Sequence, residues 1–297
     1  MTPAVAGYAA LLAVGAAWGL STPLIKTATL AGHGALTIAL WCALFNVVVL
    51  APFALPGLRG ARVPRHRRWP PLDAPSLRLY LVLGCLGMAL PQWASMSGTT
   101  HLPSGIMSMV ISLVPIFALP LALVLGSERF DPRRALGVGL GGLAIVLLAA
   151  PGGGGLPGPE LWIWVLVGAL APLFYAVEGA YVAASRAPGA TPVVLLWASS
   201  VVAVLILFPL AVAGGAPILP PLTLGTGELA ILGAATLSLT AYAGYIRLLQ
   251  RWGAVFGAQV AYTVTGCGIG WAMLLLGERY PPVVWVALAL LFAGLAL

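Results

Sequence analysis

The chain has 297 residues, of which 61% are hydrophobic and only 7% charged, with a mean hydropathy of +1.05. A soluble protein carries about 25% charge, so a water-facing globular surface is excluded, and with it nucleic-acid binding and disorder, despite a formal net charge of +7. Cys42, Cys85 and Cys267 lie in apolar stretches with no CxxC spacing; they read as buried membrane thiols, with neither a disulfide framework nor a metal site implied.

Lipid offers the backbone no hydrogen-bond partner, so roughly 20 apolar residues in a helix are needed to cross about 30 Å of hydrocarbon. In chain order the apolar runs predict ten such spans, near 4–26, 35–56, 77–98, 103–125, 134–150, 160–184, 191–213, 228–248, 254–276 and 282–297. The first has no basic segment ahead of it and no small-residue cleavage site before Lys26, so it reads as a span and not as a signal peptide. Arg59 to Ser76, the longest polar stretch, is rich in proline and arginine and predicts a loop. The last run is still apolar at Leu297, so the natural chain is expected to continue past it. Short connections make neighbouring helices antiparallel and leave no extramembrane domain.

The basic residues orient this array. With the N-terminus in the cytoplasm, twelve arginines (59, 62, 65, 67, 68, 78, 129, 133, 134, 186, 247 and 251) fall inside and only Lys26 and Arg279 outside. That bias follows the positive-inside rule, and it assigns the net charge to topology facing anionic lipid. Both termini are expected in the cytoplasm of a multi-pass plasma-membrane protein.

The fourth and ninth spans end alike. LALVLGSERFDP at Leu121–Pro132 aligns, 150 residues on, with WAMLLLGERYPP at Trp271–Pro282, sharing Glu128/Glu278, Arg129/Arg279 and Pro132/Pro282. The repeat divides the chain into halves of five spans, 1–150 and 151–297. Five is odd, so the second half enters the membrane the other way up. Inverted repeats of this kind surround a site near the midplane and support alternating access. The expected fold is therefore an all-α polytopic membrane protein of ten transmembrane helices around a central cavity.

Residues recurring at three- and four-residue intervals share a helix face. The first span places Trp18 with Thr22; the third places Tyr80, Gly84, Gly87, Pro91 and Ser95, with Gln92 and Trp93 beside them. The fourth aligns Ser104, Ser108, Ser112 and Pro115, and the sixth Trp164, Gly168, Ala171, Tyr175 and Glu178. Ser238, Tyr242 and Tyr245 line the eighth; Gln259, Tyr262 and Gly266 line the ninth. One reading is a cavity walled by aromatic rings with a few hydroxyl and amide groups. Against it, Gly and Ser at this spacing pack helices, and Trp and Tyr near span ends form interfacial belts; Trp162, Trp252 and Trp285 read as belt residues. The candidate substrate-binding set is Trp18, Tyr80, Gln92, Trp93, Ser108, Trp164, Tyr175, Glu178, Tyr242, Tyr245, Gln259 and Tyr262.

An unpaired carboxylate inside a span is costly. Glu178 either binds a substrate ammonium or a proton, or pairs with an inside arginine such as Arg186. Lys26 either binds a substrate carboxylate or snorkels to the interface. Glu128 and Glu278 are expected to cap or pair at helix ends. Hydrolase elbows, HExxH and P-loop motifs are absent, and His33, His66 and His101 fall on different sides, so no enzyme and no cofactor are implied.

Trp18-Gly-Leu-Ser-Thr-Pro-Leu-Ile-Lys26, the two span-end Glu-Arg pairs and the Pro115/Pro120-interrupted fourth span resemble the drug/metabolite transporter superfamily, specifically its EamA group. The resemblance covers essentially the whole chain. Within that group Gly87-Met-Ala-Leu-Pro-Gln-Trp-Ala94 looks most like the bacterial aromatic amino-acid exporters. Thr265-Gly-Cys-Gly268 departs from the family, whose ninth span often keeps a proline there, so the two fourth helices of the halves need not match. The resemblance implies an exporter of small metabolites, above all amino acids with aromatic or other apolar side chains, in a bacterial inner membrane. The alternatives are a broad-range drug or metabolite exporter and a non-transporting scaffold or sensor. The expected partners are the small-molecule substrate and membrane lipid, with no nucleic acid, and one chain suffices as a monomer.

Overall fold

The computed structural model describes residues 3–55, 70–126, 129–149, 155–156, 158–184, 191–218, 224–252, 256 and 259–297. Every regular element among them is helical. The helices are α1 (Pro3–Leu30), α2 (Ala35–Ala54), α3 (Ala74–Val82), α4 (Leu90–His101), α5 (Ser104–Ile111), α6 (Val114–Val124), α7 (Pro132–Ala149), α8 (Trp162–Ala184), α9 (Pro192–Ala213), α10 (Thr226–Trp252), α11 (Val260–Leu276) and α12 (Pro282–Leu295). A π-helical stretch, Leu83–Ala89, joins α3 to α4, so Ala74–His101 is one pass; α5 and α6 together make another. Eight passes are long and apolar enough to cross a membrane, and α11 and α12 are shorter apolar helices. Large apolar side chains such as Leu205, Val146 and Leu274 stand exposed on the outside of the bundle, as a lipid-facing surface requires. This is a polytopic, all-helical membrane protein.

Local chemistry explains the irregular points. Pro91 has no N–H, and in a regular α turn its ring would press on the Gly87 carbonyl; the wider π turn just before it relieves that contact, and Leu90 donates five residues back to Cys85. Pro115 likewise disrupts the fourth span. Ser112 and Leu113 donate to Met109 and Val110 in tighter three-residue turns before α6 begins at Val114. In contrast α11 runs unbroken from Val260 to Leu276, in keeping with the missing proline at Thr265–Gly268. The first helix continues to Leu30, beyond the predicted end near residue 26, and Lys26 thus lies within it.

The passes group by packing. α1 packs chiefly against α10 and α11. Small residues let these backbones approach closely: a side chain on Gly19 would lie 2.7 Å from the Val264 carbonyl oxygen and 2.8 Å from the Gly268 nitrogen. The third and fourth passes pack chiefly against α8, where a side chain on Gly98 would lie 3.2 Å from the Gly168 Cα. Between these two bundles stand two further pairs, α2 with α9 and α7 with α12. Trp41 and Trp197 staple the first pair by donating to the carbonyls of Ile218 (2.9 Å) and Val47 (3.1 Å). At the α7–α12 crossing, the carbonyl oxygens of Gly137 and Gly294 each stand where a side chain on the other would be.

The ends of the helices define two faces. Arg78, Arg129, Arg133, Arg134, Arg247 and Arg251 all lie on the face where α1 begins, called here the N-terminal face. The opposite face carries the end of α1, the α4–α5 junction and the connection from α11 to α12. On that opposite face α5 packs against α11, while α6, its continuation toward the N-terminal face, carries no buried residue and scarcely touches α11.

Candidate functional site

Trp18, on α1, faces two tyrosines of α10. Its ring centroid lies 6.4 Å from that of Tyr242 at 81° and 5.8 Å from that of Tyr245 at 57°. Edge-on and tilted arrangements of this kind match the ring quadrupoles. Three residues separate Tyr242 from Tyr245, so one helix face presents both.

The other bundle contributes Tyr175 and Glu178, again three residues apart, on α8. Gly87 of the π stretch lies directly against the Glu178 carboxylate, leaving no room for a side chain. Among the described residues Glu178 has neither a hydrogen-bond nor an ion-pair partner; the one ion pair among them is His33–Glu228 at 3.1 Å on the opposite face. Arg186, the other partner considered for Glu178, lies outside the described residues. A half-buried carboxylate without a partner, one helical turn from a tyrosine, suits a cation with an apolar or aromatic body.

A cleft of about 1010 Å³ opens between α6 and α11. Its mainly apolar walls come from Ser112, Pro115, Leu119, Gly141, Gln259, Tyr262, Thr263, Leu291 and their neighbours. Gln259 is exposed at the start of α11, and Tyr262 sits edge-on to Phe292 at 5.5 Å. Neither is beside Trp18. The cleft does reach Leu11, seven residues before Trp18 on the same face of α1, or about 10 Å along the helix. The cleft and the aromatic group are therefore successive features along α1.

The remaining candidates lie elsewhere. Ser108 is buried, donates to the Ser104 carbonyl at 3.1 Å and packs against Gly268. Trp164 stacks on His101 with centroids 3.4 Å apart and planes at 4°, at the opposite face. Trp93 is 37% exposed, and Tyr80 is buried near the start of its pass. Gln92 turns its amide nitrogen to the Met88 sulfur at 3.3 Å. Of the three thiols, Cys42 is buried, whereas Cys85 and Cys267 are only half so.

A polar cluster at the opposite face is not apparent from the sequence pattern. Lys26 donates to the carbonyls of Thr99 (2.9 Å) and Thr100 (3.2 Å) at the end of α4. Glu278 caps the start of α5, as expected of a helix-end carboxylate, by accepting from the Ser104 N–H (2.8 Å) and hydroxyl (2.9 Å) and from the Gly105 N–H (3.3 Å). Tyr280 donates to Glu278 and accepts from the Gly105 N–H at 3.2 Å. The one signal in the sequence is Pro103, which stops one helix and precedes another. Glu128, the repeat partner of Glu278, lies outside the described residues.

Comparison with known proteins places these features in context. The model of the EamA-like transporter family matches twice, over residues 5–150 and 162–297. The chain is 28% identical over 288 residues to a Streptantibioticus cattleyicolor protein named "Probable terminal-alkyne amino-acid exporter", covering 94% of this chain and 89% of that one. It is 26% identical over 259 residues to the Escherichia coli protein named "Uncharacterized inner membrane transporter YedA", covering 84% and 76% respectively. A solved crystal structure 20% identical to the chain shares its fold, with a TM-score of 0.58 over 97% of this chain and 96% of its own.

Proposed function

The chain belongs to the EamA-like transporter family, and from that premise we propose that it exports small amino acids with aromatic or other apolar side chains. The observation that carries this reading is the unpartnered Glu178 carboxylate of α8, set against Gly87 one helical turn from Tyr175, in a protein whose α1 and α10 group Trp18, Tyr242 and Tyr245. Glu178 binds the substrate ammonium. The rings receive its apolar side chain, and their weak individual contacts allow the substrate to leave again. The likeness to a protein named as an exporter of terminal-alkyne amino acids supports an ammonium head on a hydrocarbon body.

Transport proceeds by alternating access between inverted halves, 1–150 and 151–297. Two properties support that architecture. The family model matches once in each half. Helix pairing is also conserved when the halves are exchanged: α1 on α10 and α11 corresponds to α8 on the third and fourth passes, while α2–α9 and α7–α12 map onto themselves. The arginine-rich N-terminal face is cytoplasmic by the positive-inside rule, so the described cleft opens inward. A single chain contains the whole path, and no cofactor takes part.

The wide apolar cleft favours a second reading, a broader exporter of hydrophobic metabolites. Flux from proteoliposomes loaded with labelled phenylalanine, tryptophan, threonine or glutamate separates the two. The amino-acid reading expects saturable efflux of the apolar amino acids and loss of that efflux in Glu178→Gln. Efflux no faster than from empty liposomes, from folded protein, overturns it.

A further inference from the structure

The junction Leu102–Pro103 leaves backbone groups of two helices without chain partners. The Thr99 carbonyl would bond to residue 103, which is proline and has no N–H. The Thr100 carbonyl would bond to the Ser104 N–H, but that group points to Glu278. At the start of α5 the Ser104 and Gly105 amides likewise have no turn before them.

All of these groups are met from the other bundle. The Lys26 ammonium, on α1, takes the Thr99 and Thr100 carbonyls, a cation at a helix C-terminus. The Glu278 carboxylate, just after α11, takes the Ser104 and Gly105 amides, an anion at a helix N-terminus. Tyr280 bridges Glu278 and Gly105, and Gly105 accommodates it because a side chain there would collide with the Tyr280 hydroxyl. Toward the N-terminal face the same two bundles are separated by the cleft between α6 and α11.

We propose that Lys26, Glu278 and Tyr280 form a latch that holds the opposite face of the transport path shut, and that its release opens that face. This rests on the transporter reading above. Separating the bundles at this face breaks the bonds of Lys26 to Thr99 and Thr100, of Glu278 to Ser104 and Gly105, and of Tyr280 to Gly105, because each of these has one partner in either bundle. The latch lies at helix ends, where water can take over its donors and acceptors, so release is reversible. Lys26, Glu278 and Tyr280 act through the position of α4 and α5 and need not touch substrate.

The test uses the full chain in lipid nanodiscs with Cys42, Cys85 and Cys267 replaced by alanine. One reporter, Leu102→Cys, is fully buried at the latch; a second, Leu119→Cys, lines the cleft. Labelling by a water-soluble maleimide reads each face without any substrate. Glu278→Gln and Lys26→Met should each raise labelling at 102 roughly tenfold, the effect of losing one charge-assisted hydrogen bond, and lower it at 119. Tyr280→Phe, the mildest change, should act in the same direction by a smaller factor, and Glu160→Gln should do nothing. An unchanged rate at 102 in all three latch variants overturns the latch. A rise at 102 without a fall at 119 also overturns it, since that is fraying of a helix cap and not opening of a face. Should Glu278→Gln fail to fold, Lys26→Met and Tyr280→Phe decide. The paired change at both reporters without amino-acid flux keeps the latch and removes the proposed substrate.

Discussion

The Glu178 carboxylate occupies the space that a side chain on Gly87 would need, so α8 and the π turn of the third pass meet through a charge and a glycine. Gly87→Ala must therefore push the Glu178 carboxylate, the far end of a flexible side chain, out of its place. Efflux of labelled phenylalanine should fall at least tenfold. Gly84→Ala, which meets Val202 and the Ser199 carbonyl of α9 instead, should lower thermal stability more than it alters the half-saturation concentration of transport. Equal effects of the two substitutions on that concentration would contradict the assignment.

Tyr245→Ala and Trp18→Ala each remove one partner of the tilted pair between α1 and α10. Such a pair contributes about 0.5–1.5 kcal/mol beyond its buried area. The half-saturation concentration for an aromatic substrate should rise about 2- to 10-fold. Trp162→Ala, at an exposed position, serves as the comparison and should leave it unchanged. Concentration-dependent efflux measures both.

Much of this arrangement is legible in the amino-acid sequence. Ten apolar runs are expected; eight correspond to passes long and apolar enough to cross a membrane and the last two to shorter apolar helices, because lipid leaves the backbone no alternative to helices. Tyr242/Tyr245 and Tyr175/Glu178 share faces as their spacing predicts, since a three-residue interval sets direction on any helix. The same rule does not say which neighbour a face meets. Gln259 and Tyr262 have an equally good spacing, yet they line the cleft and not the group around Trp18. Ser108 stands against Gly268, as packing serines do. Lys26 is harder still. Its partners are backbone carbonyls 73 and 74 residues away, and carbonyls leave no mark in composition or spacing.

Gly277 closes α11 in the left-handed region, at φ 65°, and positions Glu278 for its contacts with α5. Only glycine adopts that conformation without strain. Gly277→Ala should cost about 1 kcal/mol of stability and weaken the hold on Ser104. Thermal unfolding in detergent reads the first effect, and hydrogen exchange at the Ser104 and Gly105 amides reads the second.

Asp73 caps α3, accepting from the Ser76 hydroxyl at 2.8 Å and from its N–H at 3.3 Å. The hydroxyl contact is the chief reason that its carboxyl titrates below the usual range. A depressed folded-state value means that this group stabilises the cap above its unfolded value and loses that effect as pH falls through the folded one. Exchange protection of the Ser76 amide should accordingly decline only as the pH falls below the usual carboxylate range. In Asp73→Asn that pH dependence should vanish, and its persistence would assign it to another group.

The crossing of α7 and α12 is set at a single spacing. Backbone meets backbone at Gly137 and Gly294, so at that point the two rods stand as close as their main chains allow. Farther along, Ala144 and Leu148 of one and Val284, Ala287 and Leu291 of the other pack into one core. A residue as small as alanine at either glycine would act as a wedge and prise that core apart.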